Sequence, residues 1–234
     1  MTPKNATNNS VSRSTLAEQV YHALKKEIIL QHTPEMKMGV TIKEVEIAKR
    51  LGCSPTPVRE AINMLRQDNL IVGNSFHSSE VISFSQKDIQ DLLIIRTELE
   101  VSAVRQAMPN VTQKDIVALK RIQKEYAKAQ EGMDFTQIAA INADFHNYIL
   151  ALAKNRTLTR ILMGLADQTA MLRAPIVEER QKRTERNSPI AVLEHDSIVQ
   201  GFENSDCEAA CNGMLHHMER VQQEVCEYYE KQRR

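Results

Sequence analysis

The tripeptide Gly52-Cys53-Ser54 separates two stretches with helical periodicity. A connection that short makes the two helices neighbours that turn sharply against each other. Before it, residues 42–51 space Val45, Ala48 and Leu51 for burial, and Gly52 stands where a left-handed C-cap belongs. After it, Ser54 is placed as an N-cap, and Pro55 and Pro57 fall in the first turn, where a missing N–H costs little. Val58, Ala61, Ile62 and Leu65 then recur at i, i+3, i+4 and i+7, which predicts one buried face over residues 54–68. Thr56, Arg59, Asn63 and Arg66 point elsewhere. A short helix anchored on one side and offering hydroxyl, guanidinium and amide groups near its start is suited to reading a surface.

The surroundings extend the pattern. Residues 14–31 carry Leu16, Val20, Leu24 and Ile28 as an amphipathic stripe, with Ser14 and Glu18 at the helix start. After the helix predicted over 54–68, LIVGNSFHSSEVISF has two β-rich ends around a polar centre, which predicts a hairpin. Helix, helix, tight turn, helix, hairpin is the order of a winged helix-turn-helix. From Ser85 onward every segment has helical periodicity: 85–108, a helix capped by Thr112, then 134–153, 156–184, 189–203 opened by Ser188-Pro189, and 206–232. The expected fold class is mainly α. An N-terminal winged helix-turn-helix with a small hairpin wing (14–84) precedes an all-α helical bundle (86–232), and residues 1–13 form a disordered tail.

Composition limits the function classes. Acidic and basic residues balance over the 234 residues, with about +2 before residue 86 and about −2 after it. Charge alone therefore does not announce a nucleic-acid partner. Four cysteines without a CxxC pair, and a polar start without an apolar run, lead us to expect reduced thiols and a cytoplasmic location. No apolar run approaches a membrane span, so no membrane partner is expected.

Three histidines fall on inward helical faces. Asn142 and His146 are four apart on one face beside Ile149 and Leu150. His195 shares a stripe with Ile198 and Phe202, and His217 lies between Met214 and Val221. Such residues are either separate core histidines bonded to backbone or carboxylate, or imidazoles that converge on a divalent ion such as Zn²⁺ or Ni²⁺. Arg96, within LLIIRTELEV, is either the i+4 salt-bridge partner of Glu100 or an inward-facing anion binder. Cys207 and Cys211 lie on one helical face but lack a second pair to close a metal site, and read as small apolar residues.

The stretch CSPTPVREAINMLRQDNLI resembles the core of the GntR family of bacterial regulators at Ser54, Thr56, Pro57, Val58, Arg59, Glu60 and Ala61. IIRTELE (94–100), NADFHNYILALAKN (142–155) and LEHDSIVQGFENSDCEAACNGMLHHM (193–218) resemble, in order, signatures of the FCD-type effector domain of its FadR subfamily. The resemblance implies a ligand-responsive repressor that binds an inverted-repeat, double-stranded DNA operator as a homodimer. Ser54, Thr56, Arg59, Asn63 and Arg66 would lie at the DNA. It implies a metal held by Asn142, His146, His195 and His217, and a small organic acid facing Arg96. Three positions depart from the family pattern. Pro55 replaces an arginine, Glu44 or Val45 stands where many members have another, and Ser78 replaces a wing-tip glycine. The first two departures remove groups able to read guanine edges. Asn142 stands where aspartate is commoner. The rival reading is a metal-dependent hydrolytic enzyme built on the three histidines, with Glu194 as the nearest candidate base.

Overall fold

The computed structural model describes residues 14–31, 33–73, 78–133, 135–183 and 190–232. The expected tail at 1–13, the hairpin tip at 74–77 and the helix start at Ser188-Pro189 lie outside them. The described chain forms two units: residues 14–28 with 33–82, and residues 29–31 with 83–232.

The first unit holds α1 (Leu16–Leu30), α2 (Glu44–Leu51), α3 (Pro55–Gln67), β1 (Ile71–Val72) and β2 (Glu80–Val81). Thr15, not Ser14, caps α1. Its Oγ1 accepts from the Glu18 N–H at 3.1 Å, and the Glu18 carboxylate accepts from the Thr15 N–H at 2.7 Å. A reciprocal capping box needs a spacing of three, and Ser14 is one residue too far away. Gly52 has φ 66°, and the Cys53 N–H returns to the Ala48 carbonyl at 3.0 Å. This left-handed turn sends α3 back across α2.

Val45 is a correction. It is 71% exposed, while Ile47 and Ala48 are buried. Helix α2 begins only at Glu44, after an extended Lys43. Val45 then lies about 200° around the axis from Ile47. The buried face of α3 is Val58, Ala61, Ile62 and Leu65, as its spacing predicts. β1 and β2 pair antiparallel, with Ile71 opposite Val81. The chain before α2 adds a further rung, unforeseen in the sequence: the Ile42 N–H donates to the Ser79 carbonyl at 2.7 Å and the Val81 N–H to Val40 at 3.0 Å.

The second unit is wholly helical among its described residues: α4 (Gln86–Ala107), α5 (Gln113–Glu131), α6 (Phe135–Leu152), α7 (Arg156–Arg183), α8 (Ile190–Glu203) and α9 (Cys207–Lys231). Its centre is Val104, Leu119, Phe145, Ile149, Ile198, Phe202, Met214 and Met218. Each such side chain contributes roughly 1.5–3 kcal/mol by burial. Cys211 is buried in the same cluster, as a small apolar residue would be. Helices α8 and α9 form a hairpin over residues 204–206 and touch through two glycines. A Cβ on Gly201 would lie 2.5 Å from the Ala210 nitrogen, and one on Gly213 would lie 2.6 Å from Ser197 Oγ. That close approach brings His195 and His217, on facing helices, within reach of each other. None of the described helices is long and apolar enough to cross a membrane.

Candidate metal centre and nucleic-acid interface

His146 on α6, His195 on α8 and His217 on α9 are all buried, and each presents a ring nitrogen within 4.8 Å of the others'. Their tautomers follow from what holds the opposite nitrogen. Gln123 on α5 donates its amide hydrogens to the Val192 carbonyl and to Asp196 Oδ1, each at 3.1 Å. Its Oε1 is therefore the acceptor for the Nδ1–H of His195, at 2.9 Å. The Glu194 carboxylate accepts from His217 Nδ1 at 2.8 Å and from Arg220 Nε at 2.7 Å. The Glu100 carboxylate accepts from His146 Nδ1 at 3.2 Å and from Arg96 Nη2 at 3.1 Å.

Each imidazole thus has its Nδ1 occupied and turns an Nε2 lone pair inward. The Nε2 atoms of His146 and His217 are 3.3 Å apart. The Nε2 of His195 is buried without any hydrogen-bond partner. An orphaned buried acceptor costs about 1–3 kcal/mol, and two facing lone pairs repel unless a proton or a cation lies between them. A divalent ion relieves both defects. Three neutral imidazoles, each oriented by a carboxylate or amide behind it, form a donor set suited to Zn²⁺ or Ni²⁺.

The electrostatics favour neutral rings at His195 and His217. Burial pushes the His195 imidazolium well below its usual pKa, and the positive forms of His217 and His146 push it further. Burial, then His146 and the nearby arginines, does the same to His217. Burial would raise the Glu100 carboxyl, but His146 and Arg96 outweigh it and hold it at about 2. Phe145 stacks on His195 with ring centroids 4.2 Å apart, which closes one side of the centre to water.

Asn142 is half-buried, one turn before His146 on α6. Arg96 is buried and paired with Glu100, the first of its two sequence readings, and through Glu100 it is linked to His146. Gln123 and Arg220 carried no sequence signal, because each acts across a helix interface rather than along a helix. Glu194, adjacent to His195 in sequence, does not serve it. It is committed to His217 and Arg220, and so does not stand free as a general base.

On α3, Ser54, Thr56, Arg59 and Asn63 are exposed. Ser54 has N-cap geometry but makes no capping bond. The third helical position, where a cap side chain normally finds its N–H, is Pro57 and has none. The Arg59 Nε donates to Glu44 Oε2 at 3.0 Å. Arg66 is half-buried and bridges Asn63 Oδ1 to Ser79 Oγ, the latter at 2.9 Å, tying the helix to the approach of β2.

Comparison with known proteins completes the picture. Residues 16–76 match the model of bacterial regulatory proteins of the gntR family, and residues 91–220 match the FCD domain. A Paenarthrobacter nicotinovorans protein described as a "probable D-xylose utilization operon transcriptional repressor" is 30% identical over 91% of this chain and 90% of its own. The HTH-type transcriptional regulator YdhC of Bacillus subtilis is 27% identical over 85% of this chain and 86% of its own. Among solved structures, E. coli McbR/YncC superposes with a TM-score of 0.76 at 22% identity, over 93% of this chain and 100% of that one. With the FCD match alone covering more than half its length, the chain belongs to the GntR family of bacterial regulatory proteins, as an FCD-bearing, DNA-binding transcription regulator and not an enzyme.

Proposed function

We propose that this regulator is a repressor that binds an inverted-repeat operator as a homodimer and is controlled by a small carboxylate at a divalent ion. His146, His195 and His217 hold the ion through Nε2, and Asn142 supplies a weaker, neutral fourth ligand. The observation that carries the reading is the unpartnered, buried Nε2 of His195 beside the 3.3 Å pair of His146 and His217. The ion supplies a Lewis-acidic anchor for the effector's carboxylate. Arg96 lies behind it and fixes Glu100, and through Glu100 the ring of His146. The repressor sign follows the Paenarthrobacter relative.

At the DNA, Ser54 has a hydroxyl that Pro57 leaves uncommitted, and Thr56 is exposed beside it. These two are suited to phosphate oxygens, while Arg59 reaches base edges once it leaves Glu44. Asn63 and Arg66 support the same face. The effector alters DNA affinity only by binding two arrangements of the dimer unequally. Metal analysis together with gel-shift titration at fixed salt tests the reading. The parent should carry one divalent ion per chain and shift operator DNA. His195→Ala should lose the ion, and Arg59→Ala should keep the ion and lose operator affinity. A parent without stoichiometric metal after metal is supplied overturns the sensor half. Unchanged operator affinity in Arg59→Ala overturns the reading-head half.

A further inference from the structure

Helix α7 carries Pro175 in its interior. Proline has no N–H, so the carbonyl four residues earlier, that of Met171, loses its intrahelical donor. Met171 and Leu172 are fully buried, so water cannot take that donor's place. Two side chains from other parts of the chain reach this turn instead. The Gln31 Nε2 donates to the Met171 carbonyl at 2.9 Å, and the Tyr229 hydroxyl on α9 donates to the Leu172 carbonyl at 3.2 Å. Outside donors on two consecutive helix carbonyls fit a turn that the proline has opened.

Gln31 directly follows α1, and residues 29–31 belong to the helical unit, while residues 16–28 of the same helix belong to the first unit. Its φ is 50°, in the left-handed region that glycine or asparagine usually fills at a helix end. A longer side chain there carries a cost, which a bond to an orphaned, buried carbonyl offsets. We propose that Gln31 is a positioning residue for DNA binding: its amide stands in for the N–H that Pro175 lacks and so fastens the end of α1 to α7. Val20, Leu24 and Ile28 bury the rest of α1 in the unit that carries α3. Freeing the end of α1 adds arrangements that operator binding must then remove, at the expense of affinity. This role is independent of the metal reading above.

The test uses the full-length protein and a DNA duplex selected from random sequence with the parent. Gln31→Met keeps the length of the side chain and removes its donor. It should lower the melting temperature by about 2–8 °C. It should also weaken binding to that duplex about two- to tenfold in gel-shift titration at fixed salt. Pro175→Ala returns an N–H to the helix, so adding Gln31→Met to it should change the melting temperature by less than about 1 °C. That nonadditivity separates the bond from a general loss of packing at residue 31. Equal falls in both backgrounds overturn the proposal, and so does parental operator affinity in Gln31→Met. Should Pro175→Ala fail to fold, hydrogen exchange at the amides of residues 28–30 in Gln31→Met decides the matter. Exchange faster than in the parent supports the fastening, and parental exchange overturns it.

Discussion

Replacing Gln123 with leucine removes one acceptor from the histidine centre while leaving every proposed metal ligand in place. In the parent, the Gln123 amide is held by Val192 and Asp196, so its oxygen must accept from His195 Nδ1. Gln123→Leu, similar in bulk, leaves that N–H buried without an acceptor, at a cost of about 1–3 kcal/mol. The ring can escape by shifting its proton to Nε2, which is the atom meant for the ion. Loss of an orienting partner behind a ligating histidine typically weakens metal binding about 10- to 100-fold, or roughly 1.4–2.7 kcal/mol. The variant should therefore have a lower melting temperature without metal and a smaller rise when Zn²⁺ or Ni²⁺ is added. Competition with a chelator of known affinity reads the metal constant directly. Affinity within a factor of two of the parent, in a variant with the same helical content, would refute the argument that Gln123 sets the His195 tautomer.

Gly213→Ala should break the same centre from a distance, since its Cβ would lie 2.6 Å from Ser197 Oγ and 3.2 Å from the Ile198 nitrogen; metal content and melting temperature should both fall. Parental metal content in that variant would mean that α8 and α9 part without moving His195 or His217. Glu44→Gln should loosen Arg59 and tighten operator binding severalfold at low salt, because it weakens a competing charge-assisted bond and removes a negative charge near phosphates; weaker binding would mean that Glu44 positions Arg59 for the DNA. In the metal-free protein, buried His195 and His217 resist protons that the unfolded chain accepts near pH 6.5. Stability should therefore be flat above that pH and fall as pH drops from about 6.5 toward 5, while Glu100, held at about 2, stays ionised throughout. Thermal melts from pH 8 to 5 check the sign, and a His195→Leu variant with an equally steep fall would assign the effect elsewhere.

Much of the architecture is local and so could be read from the chain in isolation. The inward faces of His146, His195 and His217 follow from 3.6-residue periodicity, which depends only on a helix's own side chains. The turn at Gly52 and the caps at Ser85 and Thr112 are equally local, since each is settled within five residues. Periodicity could not say that Val45 faces out, because a stripe read from three residues fits more than one rotation of an eight-residue helix. Nor could spacing decide whether three inward histidines meet. That depends on the distance between helix axes, which Gly201 and Gly213 set by admitting backbone where other residues place a Cβ. The partners behind the rings belong to the same class: Gln123 and His195 are 72 residues apart, and Glu100 and His146 are 46 apart. Even Glu194, beside His195 in sequence, turns to His217 instead, because successive side chains on a helix diverge by about 100°. Helix periods decide which way each residue faces; only the tertiary approach of the helices decides what it meets there.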